Sequence, residues 1–435
     1  MTRHREMYYV DYEGDFGLTG LVGSLCSRTG APLDAPAVLA LAARTASEDD
    51  DVQLGKDVRL LLESPLPGEV IRTVWLAAVH ERFDPADYAM DMRTWLHRIA
   101  EVCPLRSPQR DEGETATLAE RAPVVPEDEL RASVLAEIGW AASALTAALP
   151  EWDLVPALRQ VVAEADADLG FRLFLRALKA YAVTVDMDQY DRLLALGDRL
   201  AYPLTAVFAG LNVRWPPLDP GRRDFAFGFG LPGLSGMFDG EWNTWRYEGT
   251  GTPREHVERL AHADSGMPPG AQAAVLLEDV TRLLDSALTD DTVTVLWRTA
   301  ARRLHAVDAF DADGRTWLRE IAAVCTERLT ATAPAYAPFV SPPRTDLMNP
   351  VVQEVQDITQ QLNRATGIDV TAATLERIVT SVDPDLGFRL LLRIAEAYDI
   401  PVTAAQYTRY QTLGERLGYA RSQVTDAVEE LVGHD

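Results

Sequence analysis

Apolar residues recur every three to four positions through most of the chain, and strict alternation of apolar and polar positions is scarce. That period belongs to helices with one buried face, not to half-buried strands. It predicts helices over Ala35–Thr45, Asp57–Leu62, Val70–Val79, Met90–Cys103, Glu127–Ala148 and Trp152–Glu164. A second series is predicted over Asp279–Leu284, Val293–Leu304, Asp313–Cys325, Pro350–Ala365 and Ala372–Val379. The segment Met7–Gly14 reads as one short strand or an extended arm, and Glu48–Asp51 as a solvated acidic loop. Proline-rich, polar stretches at 104–126 and 326–350 read as long connections.

The two series are related by sequence. Asp166–Tyr202 returns as Asp383–Tyr419 with more than half of the positions identical, among them Gly170/Gly387, Arg172/Arg389, Arg176/Arg393 and Tyr202/Tyr419. The tetrapeptide RTWL at Arg93 recurs at Arg315, and Phe16–Gly23 recurs as Phe229–Gly236. A long internal repeat sets the architecture. The expected fold is all-α: two tandem homologous lobes, 1–215 and 216–435, related by a pseudo-twofold axis, with few short extended segments.

Local signals agree with that reading. Asp383 reads as a helix cap, with Pro384 at the first helical position and Asp385 in the first turn. Thr403-x-x-Gln406 and Asp186-x-x-Gln189 have capping-box spacing, and Thr252 to Glu255 opens another helix in the same way. Capping and dipole placement account for Asp91/Asp313 and Asp168/Asp385 without catalysis. The glycine-rich repeats lack GxGxxG spacing, and Pro232 removes a donor that an anion cradle would use, so they read as turns packed against their own repeat.

Composition narrows the functional classes. Of 435 residues, 47% are hydrophobic and 25% charged, the profile of a globular protein. A formal charge of −25 disfavours direct nucleic-acid binding and favours a basic partner. Lys56 and Lys179 are the only lysines; arginine supplies the rest of the positive charge, a bias that points to a bacterial, GC-rich source. With no signal-peptide core and no run of 18 apolar residues, the expected location is cytoplasmic and away from membranes. Cys26, Cys103 and Cys325 lack metal-ligand spacing and read as buried hydrophobes. No histidine is retained between the copies, so no metal, cofactor or catalytic residue is assigned.

Two groups of residues are candidates for binding. Phe238–Gly251 has extra residues relative to the first copy, and its Trp242, Trp245, Asp239, Glu241 and Tyr247 form a candidate partner-binding loop. Arg172 and Arg176, with Arg389 and Arg393, stand one helical turn apart and could clamp an anion, or else pair with internal carboxylates. Trp75, Trp95, Trp297 and Trp317 read as core anchors.

The leading expectation is an acidic cytoplasmic module that sequesters or regulates a basic protein, an immunity or antitoxin protein being one such form. The alternative is an enzyme with an inter-lobe site that binds an anionic small molecule through the repeated arginines; a scaffold or nucleic-acid mimic is the third. Either a monomer with pseudo-dimeric lobes or a homo-oligomer fits.

Overall fold

The structure, a computed structural model, describes residues 2–4, 14–27, 34–47, 52–103, 124–219, 221–225, 228–239, 252–264, 266–302 and 313–433. The protein is all-α: it is 72% helical, with 21 helices among the described residues. The chain divides into two compact units, Met1–Trp215 and Pro216–Asp435.

The first unit holds α1 (Gly17–Ser27), α2 (Ala35–Ser47), α3 (Val52–Glu63), α4 (Gly68–Ala78), α5 (Met92–Val102), α6 (Glu127–Ala148), α7 (Leu154–Gln160), α8 (Ala167–Ala180), α9 (Met187–Arg199) and α10 (Leu204–Phe208). Its short strands pair as β1 (Thr2–His4) antiparallel with β2 (Val124–Pro126), and β3 (Thr184–Val185) parallel with β4 (Asn212–Val213). The second unit holds α11 (Gly230–Gly236), α12 (Pro253–Ala261), α13 (Ala271–Asp285), α14 (Asp290–Ala300), α15 (Gly314–Thr332), α16 (Met348–Asp357), α17 (Thr359–Thr366), α18 (Thr371–Ser381), α19 (Pro384–Ala397), α20 (Ala404–Leu417) and α21 (Arg421–Val428).

Each unit is built around the repeated helix, α8 or α19, which is buried on nearly every side. Such a helix cannot turn its polar residues to water, so each of them needs an internal partner. Caps fix where it starts: Asp166 accepts from the Leu169 N–H at 2.9 Å, and Asp383 from the Asp385 N–H at 2.9 Å. Gly170 and Gly387 let the preceding turn pack at the backbone, since a Cβ there would collide with Val162 or Val379.

The RTWL repeat has a structural explanation. Trp95 and Trp317 lie in the cores beside Trp75 and Trp297, with ring centroids 6.2 and 5.3 Å apart. Arg93 donates to the carbonyls of Leu62, Ser64 and Leu66, and Arg315 to those of Leu284, Ser286 and Leu288, at 2.5 to 3.0 Å. These carbonyls end α3 and α13, where helix geometry leaves acceptors unfilled and the dipole favours a cation.

Three local expectations are corrected. The glycine-rich repeats are helical, α1 and α11, because Pro232 falls in the first turn, where no intrahelical N–H bond is lost. Helix α15 continues to Thr332, so the second connection is shorter than proline content implies. Asp186 caps α9, but Gln189 turns its amide to Glu137 instead of closing a capping box, whereas Thr403 and Gln406 form both halves. Residues 7–13 of the expected arm, the acidic run at 48–51 and the stretch 104–123 lie outside the described residues.

Candidate functional site

The first turn of α1 begins at Gly17 with φ +62°, and that of α11 at Gly230 with the same φ. This left-handed start aims the following N–H at a buried carboxylate. The Leu18 N–H donates to Asp57 at 2.8 Å, and the Leu231 N–H to Asp279 at 2.8 Å. A side chain on either glycine would run into that aspartate and the arginine paired with it.

Each aspartate holds one arginine of the repeated helix. Arg172 donates to both oxygens of Asp57 at 2.5 and 2.6 Å and to Asp168 at 3.1 Å. Arg389 donates to both oxygens of Asp279 at 2.7 and 2.8 Å and to Asp385 at 3.0 Å. The guanidinium planes lie over Phe16 and Phe229, 4.9 and 4.8 Å from the ring centroids. Tyr202 donates its hydroxyl to Asp168, and Tyr419 donates to Asp385. Asp168 and Asp385 are therefore partners of arginine and tyrosine; the caps are their neighbours Asp166 and Asp383.

Electrostatics follow from this geometry. Burial opposes charge on Arg172 and Arg389, but Asp57 or Asp279, joined by Asp168 or Asp385, overcomes it and raises both arginines well above their ordinary pKa. Burial likewise opposes ionisation of Asp385, yet Arg389, Arg223 and the Tyr419 hydroxyl hold its carboxyl below the usual range. Asp383 goes the other way: burial first, then the Asp385 charge, pushes it up to about 6 despite Arg282 at 3.1 Å.

One turn further along, the units diverge. Arg176 donates to the Ala78 carbonyl at 3.2 Å, and Arg393 to the Ala300 carbonyl at 3.1 Å. In the first unit Arg176 also reaches Asp15 at 3.4 Å, and Lys179 follows on the same face. The Lys179 ammonium is buried, 2.6 Å from Asp15 and 2.7 Å from the Ala206 carbonyl. Burial lowers its pKa and Asp15 opposes the shift. In the second unit the corresponding residues are Gly228, Glu396 and Gln423. There Arg393 turns to Asp239 at 2.6 Å and Glu396 at 3.0 Å.

A cavity of about 430 Å³ opens in the second unit at this place. Phe229, Pro232, Tyr419 and Leu392 form its apolar wall; Arg302, Arg393, Asp239, Glu396, Gln423 and Asp426 supply polar groups. Its size suits a small ligand or one long side chain.

The four repeated arginines thus all have carboxylate partners, and Arg176 and Arg393 have carbonyl partners as well. Asp239 is buried against Arg393. Glu241, Trp242, Trp245 and Tyr247 lie outside the described residues. The site also takes in Asp57, Asp279, Asp15 and Asp426, which the sequence reading does not single out. Their signal, visible only on aligning the copies, is that Asp57 matches Asp279, whereas Asp15 and Lys179 both change. No group of three or more metal-ligating side chains occurs among the described residues, and no helix there is long and apolar enough to cross a membrane. No protein-family model, curated protein or solved structure matches the chain.

Proposed function

We propose that the protein is an acidic binding module, built from two copies of one helical unit, that takes up and restrains a basic protein in the bacterial cytoplasm, an immunity or antitoxin protein being one such form. The observation that carries this reading is where charge is neutralised. Among the described residues, Arg172, Arg223, Arg282, Arg389 and Arg393 are buried and each is ion-paired inside its unit. Nine buried carboxylates accompany these five buried arginines among the described residues, so the interior holds a surplus of only four negative charges and the remaining residues keep most of the formal −25. Complementary charge of this kind speeds encounter with a basic partner and makes binding sensitive to salt.

Affinity requires anchors as well as charge. Trp140 on α6 is 72% exposed, with the Arg192 guanidinium 5.2 Å from its ring centroid. Tryptophan and arginine are the side chains that most often dominate interface energies. Trp242 and Trp245 are further candidates by sequence. The enzymatic alternative has less support, because the arginines meant to hold an anionic substrate already have internal partners.

The test is to isolate partners on the tagged full chain, rebuild the complex from purified components, and measure affinity against salt. The expected partner is basic and stoichiometric, its affinity falling steeply with salt and roughly tenfold or more with Trp140→Ala or with Trp242→Ala plus Trp245→Ala. Affinity indifferent to salt and to all three tryptophans would sink the proposal.

A further inference from the structure

The cavity of the second unit has a filled counterpart in the first. Where α8 sends the Lys179 ammonium inward to Asp15, α19 carries Glu396, and Gly228 stands in place of the aspartate. Three arginines and three carboxylates line the cavity, and the arginines are largely engaged. Every nitrogen of Arg393 already donates, to Ala300, Asp239 and Glu396, and those of Arg389 donate to Asp279 and Asp385. At the mouth, Arg302 is 3.9 Å from Asp239. Asp426, exposed at the rim, makes no ion pair among the described residues. Partial desolvation, then the like charges of Glu429 and Glu396, raise its carboxyl above the ordinary range.

We infer that this cavity is a binding site for a primary alkylammonium, whose head group pairs with Asp426 and Glu396 and whose chain lies along Phe229, Pro232 and Leu392, as the Lys179 stem lies inside the first unit. Two sources share that chemistry: a free aliphatic amine, or a lysine side chain of a bound protein. The inference goes beyond the partner reading and stands without it.

The experiment titrates the full chain with 1,4-diaminobutane and with N-acetyl-lysine N-methylamide, using butyrate and inorganic phosphate as anionic controls. Saturable one-to-one amine binding is expected, weakened roughly tenfold by Asp426→Asn, the loss expected for one charge-assisted bond. Preference for the free diamine indicates a small-molecule ligand; preference for the capped lysine indicates a protein side chain.

Gly228→Asp with Glu396→Lys installs the first unit's own pair and should abolish binding. A Cβ on Gly228 would meet only Gly233 Cα at 3.5 Å, an ordinary contact, so the backbone accepts it. Should that variant not fold, Lys179→Ala provides the converse: a second amine site appears, and 1,4-diaminobutane, not butyrate, restores the lost melting temperature. Absence of amine binding, preference for the anions, or amine binding that persists in the folded double variant each overturns the inference. Because the probes are small molecules and the partner test uses proteins, failure of one leaves the other standing.

Discussion

The far ends of α8 and α19 differ in a way their near ends do not. At the near ends an aspartate from another helix, an arginine, a second aspartate and a tyrosine form the same buried set in both units, with bond lengths agreeing to a few tenths of an ångström. At the far ends one unit closes on a lysine–aspartate pair, and the other replaces both residues and opens a cavity. A buried bidentate ion pair tolerates little change, because losing either partner strands a charge in a dry interior. The next turn lies nearer the surface, where substitutions are cheaper and a site can form without loss of the fold.

The largest effect that would break this comparison comes from the shared set. Arg172→Ala and Arg389→Ala should each lower stability by about 3–5 kcal/mol in urea unfolding, since each strips a buried aspartate, Asp57 or Asp279, of its bidentate partner. Lysine at either position should rescue little, because it cannot bond both aspartate oxygens in plane. If either alanine variant unfolds like the parent, the arginine sets are not what holds the units together.

Next comes a difference in pH dependence within the second unit. Asp385, depressed by Arg389 and Arg223, contributes stability that is present above the ordinary carboxylate pKa and lost as pH falls. Asp383, raised to about 6, works in the opposite sense. Its contribution is fully present below the unfolded pKa near 4 and lost as pH rises through 6. Asp383→Asn, which can still cap α19, should match the parent near pH 4 and exceed it by about 3 kcal/mol above pH 7. Unfolding midpoints across that range check the sign.

Smaller effects sharpen the contrast between the two far ends. Lys179→Met should cost about 1–3 kcal/mol, because it strips the partly buried Asp15 carboxylate of its ammonium. Glu396→Met, at a side chain 50% exposed, should change stability by less than about 1 kcal/mol. Equal costs at the two positions would mean that the second unit does not leave its pocket open.

Much of the fold was legible because it is local. Three-to-four-residue spacing located most helices, and caps such as Asp91, Asp313, Thr252 and Thr403 lie where short-range patterns put them. The glycine-rich repeats were misread because composition outweighed position: Gly17 and Gly230 supply a left-handed start, and helix follows. The candidate site was legible only in part. Arg172, Arg389 and Arg393 stood out by repetition, but their partners are far along the chain, Asp57 by 115 residues from Arg172 and Asp239 by 154 from Arg393.

Sequence by itself determined the helical class and the side-chain-capped helix starts, since periodicity and capping depend on residues within a turn or two of each other. Only the tertiary structure decided which charges meet, that Lys179 is buried against Asp15, and that the matching place in the second unit is open. Those outcomes depend on which helices pack side by side, and a desolvated charge is stable only where that packing brings it a partner.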